Sequence, residues 1–110
     1  MCTELTEMNL DRDSFDLICS GQKKIEVRVN DTKRKAIKPG WRILFKHGND
    51  IVMTRVVRIT SYRTFDEMLS NESLNSLNPG KSYEEQSVLL RKIYPSEREQ
   101  LGVLAIEVEL

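Results

Sequence analysis

The chain is 110 residues long, 39% hydrophobic and 31% charged, which suits one globular domain with its own core. No apolar run is long enough to cross a bilayer, and the first residues have neither the basic nor the apolar region of a signal peptide, so the expected location is the cytoplasm. The net charge is zero, with 17 basic and 17 acidic residues, but the two signs are unevenly placed.

The single expected domain covers residues 1–110. Residues 4–8 alternate weakly and read as a first strand. A helix follows over 11–20: Asp11 or Asp13 can cap it, Phe15, Ile18 and Cys19 fall at i, i+3 and i+4, and Gly21 supplies the stop. Residues 24–29 form the next strand. Its period-two pattern puts Ile25, Val27 and Val29 on one face and Lys24, Glu26 and Arg28 on the other. A strand with one apolar and one ionic face is either a solvated sheet surface or the wall of a polar pocket.

Asn30-Asp31-Thr32 turns the chain, and Lys33-Arg34-Lys35 follows in a loop or a single helical turn. Lys38-Pro39-Gly40 has the residues of a type II turn, with Pro and Gly at its two central positions. A strand over 41–46 leads into a hairpin at His47-Gly48-Asn49-Asp50. The partner strand is long, 51–62, and its alternation falters at Val56-Val57, where a bulge is natural. Thr64 with Glu67, and Ser82 with Glu85, are spaced as capping boxes for two helices. The second helix stops at Tyr94-Pro95. Ser96 and Glu99 cap a further turn ended by Gly102, and residues 103–110 close the chain as a strand. The hairpin demands antiparallel pairing. The order suits an α+β fold: a mixed or antiparallel sheet of five or six strands, curled into a barrel that removes exposed edges, with flanking helices.

The chemistry available is narrow. His47 is the sole histidine, which excludes a His-based metal cluster, and Cys2 with Cys19 has neither zinc-ligand spacing nor the look of a disulfide framework. A catalytic pair built on His47 competes with a plain turn histidine. Walker and dinucleotide-binding glycine motifs are absent, so no cofactor is expected. Between Ser20 and Arg63 there are twelve Lys/Arg and three acids. That excess is either a one-sided basic surface that meets phosphate or a set of cations that solvate strand edges. The remaining group is Lys23, Lys24, Glu26 and Arg28. A desolvated lysine can act as base or nucleophile, a carboxylate can accept a base amino group, and an arginine can fork onto phosphate or stack on a base. The alternative is a charged strand face held by cross-strand pairs.

Gly21-Gln22-Lys23-Lys24-Ile25-Glu26-Val27-Arg28 resembles the motif of the ASCH domain family, part of the PUA-like superfamily: Gly, any residue, Lys, any two residues, Glu or Thr, any residue, Arg. The segment from Gly40-Trp41 into Ile43-Leu44-Phe45 is similar to the family's following strand, with Trp41 where Asp is usual. The loop Asn78-Pro79-Gly80-Lys81-Ser82-Tyr83 and Ile93-Tyr94-Pro95 resemble small stand-alone bacterial members. The resemblance implies a PUA-like β-barrel with a cleft beside the motif strand, and a superfamily associated with RNA. One bacterial branch hydrolyses acetylcytidine with the motif lysine, a threonine and a later glutamate. Carried over, the lysine is Lys23, Glu26 stands at the threonine position, and Glu84 and Glu85 are the later glutamates by region.

Three functions follow as expectations. The first is a module that binds RNA, a nucleoside or a nucleotide: Lys23, Glu26 and Arg28 line the cleft, Lys33, Arg34, Lys35 and Lys38 meet phosphate at its rim, and Trp41 or Tyr62 stacks on a base, although Trp41 suits the core equally well. The second is a hydrolase of modified cytidines or RNA with Lys23 as base and Glu26 as its proton partner. The third is a small-ligand or protein-interaction domain in which the motif charges only stabilise the barrel.

Overall fold

A computed structural model describes residues 4–32, 34 and 36–110. The expected first strand is β1 (Leu5–Asn9). Helix α1 (Arg12–Cys19) begins where Asp11 accepts the Ser14 N–H at 2.7 Å, and it ends at Gly21, whose φ of +79° a side chain would resist. Strand β2 (Ile25–Val29) follows. The 38–41 turn closes with the Trp41 N–H on the Lys38 carbonyl at 3.1 Å. It delivers the chain into β3 (Arg42–His47), and the Gly48-Asn49 loop leads to β4 (Asp50–Tyr62). Gly48 alone in that loop has positive φ, as in a hairpin turn of type II′.

Helices α2 (Phe65–Asn71), α3 (Leu74–Leu77), α4 (Tyr83–Ile93) and α5 (Ser96–Glu99) precede the last strand, β5 (Val103–Glu109). The Ser82–Glu85 capping box is complete. At α2 only half of the expected box forms: Thr64 accepts the Glu67 N–H. No side chain caps α5, and Glu99 instead accepts the Phe65 N–H at 2.8 Å, tying α2 to the α5 turn.

The five strands form one curled sheet, a half-barrel of PUA-like type, in the order β1-β3-β4-β5-β2. β1 runs parallel to β3, and the other pairs are antiparallel. The expected bulge is present: Val56 faces Val108 and Arg58 faces Glu107, which leaves Val57 unpaired and exposed. The barrel does not seal its own edges. β1 and β2 lie at opposite ends of the strand order, and no sheet pairing joins them.

Two apolar clusters flank the sheet. Met8, Phe15, Ile43, Phe45, Leu104 and Ile106 fill the concave side. Ile25, Val29, Phe65, Met68, Leu77 and Ala105 fill the layer between β2, β5 and the helices. β5 is therefore buried on both faces, with Leu104 and Ile106 in one cluster and Val103 and Ala105 in the other. Each fully buried large side chain contributes about 1.5–3 kcal/mol. β2 differs, because its helix side is apolar while its concave side carries Glu26 and Arg28.

Candidate nucleotide-binding cavity

The register of β2 decides where its charges point. Glu26 lies opposite Ile106 and Arg28 opposite Leu104, and both partners belong to the concave cluster. Glu26 and Arg28 therefore face the hollow of the sheet. Lys24 does not join them. Regular strand geometry starts at Ile25, and Lys24 is exposed with its N–H on the Ser76 carbonyl at 2.9 Å. The third member of the ionic group is Lys23, 8% exposed.

Lys23 is tightly held. Its ammonium donates to the Ile25 carbonyl at 2.7 Å and to the Leu77 carbonyl at 2.6 Å, and it lies 3.6 Å from Glu26 Oε1. Burial pushes its pKa below the usual lysine value, opposed by the charge of Glu26. The second carboxylate oxygen, Glu26 Oε2, accepts from Arg28 Nε at 2.9 Å. Arg28 Nη2 reaches across the open seam to the Asn9 carbonyl at 2.9 Å. One guanidinium thus fixes the carboxylate and ties β2 to β1 where no ladder does. Two cations flank this one buried carboxylate, whose oxygens keep acceptor capacity toward the hollow.

A cavity of about 380 Å³ occupies this seam. Its floor is the β1–α1 junction at Asn9, Leu10 and Asp11, one wall is the Lys23–Glu26–Arg28 group, and the other is α4 with the residue after it. That second wall presents Leu89, Leu90, Ile93 and Tyr94 together with Gln86, which is 4% exposed. Tyr94 stacks on Phe65 with ring centroids 5.7 Å apart, and its burial raises the phenol pKa. One wall is charged and the other is apolar, a division suited to a planar ligand with a polar edge.

Several expected site residues lie elsewhere. Trp41 packs against the concave core, and Tyr62 donates to Glu72 on the helix side, so neither lines the cavity as a stacking surface. The aromatic at the cavity is Tyr94, whose position beside Pro95 reads in sequence only as a helix stop. Glu84 and Glu85 also face away: they border a separate groove with Lys81 and Val88, and Glu85 is occupied by the Ser82 N–H. α4 turns Gln86 inward instead. Lys38 is exposed in its turn and does not line the cavity. Arg34 is half-buried; burial and the charge of Arg28 lower its pKa, opposed by Asp31. Lys33 and Lys35 lie outside the described residues. His47 Nδ1 sits 2.9 Å from the Leu10 carbonyl, which can only accept, so Nδ1 carries the proton.

The basic excess of the middle of the chain is partly cancelled in space. Arg55 pairs with Glu109, Lys46 with Glu7, and Arg58 with both Glu72 and Glu107. Among the described residues of that span, Lys24, Arg34, Lys38, Arg42 and Arg63 have no ion pair. No group of three or more His, Cys, Asp or Glu is arranged to hold a metal among the described residues. None of the described helices is long and apolar enough to cross a membrane.

This is a small α+β half-barrel of PUA-like type with an ionic cavity at its open seam. The ASCH domain family model matches residues 8–110, and the chain belongs to that family. No curated protein matches it. Among solved structures it is similar to the hypothetical protein PH0355, with 43% identity, a TM-score of 0.88 and coverage of 96% of this chain and 97% of that one. It is similar to protein PF0455 from Pyrococcus furiosus, with 43% identity, a TM-score of 0.77 and coverage of 96% of each chain. Protein EF3133 from Enterococcus faecalis V583 shares the fold, with 14% identity, a TM-score of 0.62 and coverage of 99% of this chain and 80% of that one.

Proposed function

We propose that this ASCH domain binds a nucleobase, as a nucleoside or as an unpaired residue of RNA, in the cavity at the β1–β2 seam. The observation that carries the reading is the pairing of a fixed, buried carboxylate with an apolar wall across a hollow of about 380 Å³. That volume lies in the range of small-molecule sites, roughly 300–1,000 Å³. A base would lay its face on Leu89, Leu90 and Tyr94 and turn its edge to Glu26. Unpaired bases are recognised in this way, by stacking and by hydrogen bonds to their edges. The β2–β3 loop and the turn after it carry Lys33, Arg34, Lys35 and Lys38, and these are the proposed phosphate contacts at the rim.

Hydrolysis with Lys23 as base is less well supported. A base needs a free lone pair, and the Lys23 ammonium already gives two N–H groups to carbonyls and turns toward Glu26. Its bonds hold α3 against β2, which is a structural task.

Titration calorimetry with the four nucleosides and with short single-stranded RNA tests the proposal. Binding by the intact domain, and its loss in Arg28→Ala with the fold retained, is the expected result. RNA affinity should fall as salt rises, and charge reversal at Arg34 and Lys38 should flatten that slope. A domain that binds none of these ligands, or an Arg28→Ala variant that binds as well as the parent, overturns it.

A further inference from the structure

Gln86 is a polar side chain buried in the first turn of α4, facing the ionic wall. Its Nε2 lies 2.8 Å from the Leu74 carbonyl, 3.1 Å from the Lys81 carbonyl and 3.2 Å from the Asn78 carbonyl. Carbonyls only accept, so all three contacts require the amide nitrogen, and this fixes which end of the amide is which. The opposite end, Oε1, then has no hydrogen-bond donor among the described residues, although Gln86 is 4% exposed and forms part of the cavity wall. Oε1 is not among the fully buried unpaired atoms and so keeps some access to solvent; a ligand that covers it without supplying a donor leaves it unpaired at a cost.

The opposite wall has the same need. Glu26 Oε2 is taken by Arg28, and Oε1 has only Lys23 at 3.6 Å, beyond good hydrogen-bond length. The cavity therefore holds two acceptors on facing walls, one charged and one neutral.

We infer that Gln86 Oε1 and the Glu26 carboxylate together select ligands with two N–H donors on one edge, so that bases carrying an amino group are bound and uracil is rejected. The inference rests on the base-binding reading above. An exocyclic amino group offers two N–H bonds, and guanine offers an amino group beside a ring N–H. Uracil has one ring N–H between two carbonyl oxygens. It leaves one wall unpaired and turns an oxygen lone pair toward another acceptor. Gln86 acts in this scheme as a specificity-determining residue.

The test compares cytidine with uridine, which have the same sugar and ring size, by titration calorimetry. One buried acceptor left without a donor predicts that cytidine binds about tenfold or more tightly than uridine. Gln86→Lys removes the oxygen while keeping N–H donors for the three loop carbonyls. It should melt cooperatively and bring the cytidine-to-uridine ratio to within about threefold of unity, about 0.7 kcal/mol at 1.4 kcal/mol per tenfold. Equal binding of cytidine and uridine by the parent protein refutes the inference and leaves the base-binding reading standing, whether or not the variant folds. A selective parent whose ratio is unchanged in a folded Gln86→Lys variant refutes the role of Gln86. Binding of neither nucleoside removes the reading beneath it.

Discussion

Replacing Lys23 by Met tests whether this side chain is a staple or half of an ion pair. Met has similar length and no charge, so packing changes little. The ammonium bonds to Ile25 O and Leu77 O at 2.7 and 2.6 Å would be lost. Each carbonyl left buried without a donor costs about 1–3 kcal/mol. Glu26 keeps Arg28 as a partner, so the loss of its weaker contact adds little. Relief from burying an ammonium offsets part of the sum, and a net destabilisation of about 3 kcal/mol follows from these terms. For a domain of this size that lowers Tm by about 12–24 °C. Urea unfolding followed through Trp41, half-buried against the concave core, reads the change directly. The same substitution made in a Glu26→Gln background separates the two roles. A staple costs nearly the same in both backgrounds, whereas an ion pair costs much less once the carboxylate is gone. A loss below about 0.5 kcal/mol, the range of ordinary surface changes, would refute the reasoning. Lys24→Met, at an exposed neighbour, is the control for that range.

Other perturbations follow from the same geometry. Arg28→Ala removes the one described side-chain bridge from β2 to the Asn9 carbonyl. Amide exchange at the free edges of β1 and β2 should then speed up more than exchange in β4 and β5. The helix-side carboxylate Glu72 is held below the usual carboxylate range, first by its hydrogen bonds from Arg58, with a further bond from Tyr62. A depressed folded value means that the unfolded chain takes up the proton first as pH falls. The stability Glu72 gives is therefore full above the unfolded carboxylate pKa and lost as pH falls through the lower folded one. Acid titration of stability should lose that component in Glu72→Gln. Tyr62 is pushed up to about 12 by burial and by Glu72. The unfolded phenol ionises first as pH rises, so stability should drop between the ordinary tyrosine pKa and 12, and Tyr62→Phe should remove that drop, as alkaline melting curves would reveal. Ser82→Ala removes the Oγ half of the α4 capping box and leaves Glu85 on the backbone N–H of residue 82, and it should cost about 1 kcal/mol in chemical unfolding.

Much of the fold was legible because its signals are local. Asp11, Gly21, the 38–41 turn, the Gly48-Asn49 hairpin and the Val56-Val57 irregularity each act over a few residues, and each appears where its chemistry demands. Features that depend on register were not legible. The basic excess between Ser20 and Arg63 looks like a surface in sequence. Antiparallel pairing of β4 with β5 sets Arg55 against Glu109 and Arg58 against Glu107 and cancels part of it. The site divides in the same way. The period-two pattern picks out Glu26 and Arg28, and the resemblance to the ASCH motif, not the periodicity, adds Lys23. Lys24 followed the period-two pattern on paper and left it in space, since the strand begins one residue later. Gln86 and Tyr94 were missed because each lies in a helical pattern whose orientation is set by contacts distant in sequence. The one local clue at Gln86 is a polar residue between Tyr83 and Leu89-Leu90, on the side of α4 that must be buried.

The position of the cavity is a consequence of topology. A five-stranded sheet that curls without closing brings its two edge strands toward each other with unpaired backbone groups on both, and such edges attract other chains unless they are covered. A sixth strand would seal the gap and leave no hollow. Here the gap is bridged by a side chain: Arg28 donates to the Asn9 carbonyl of β1, and its own charge is balanced by Glu26 from the same strand. A guanidinium is longer than a ladder hydrogen bond, so it joins the strands while holding them apart. The space it leaves open becomes the cavity, and α4 roofs it with Leu89, Leu90 and Gln86. The two demands on the motif are therefore coupled. Glu26 is buried beside Arg28 and balances its charge, and the same carboxylate faces the hollow. A threonine at that position would lack this charge and leave Arg28 to bridge the seam uncompensated. With Glu26 in place, the ion pair that bridges the seam also presents a carboxylate to the hollow.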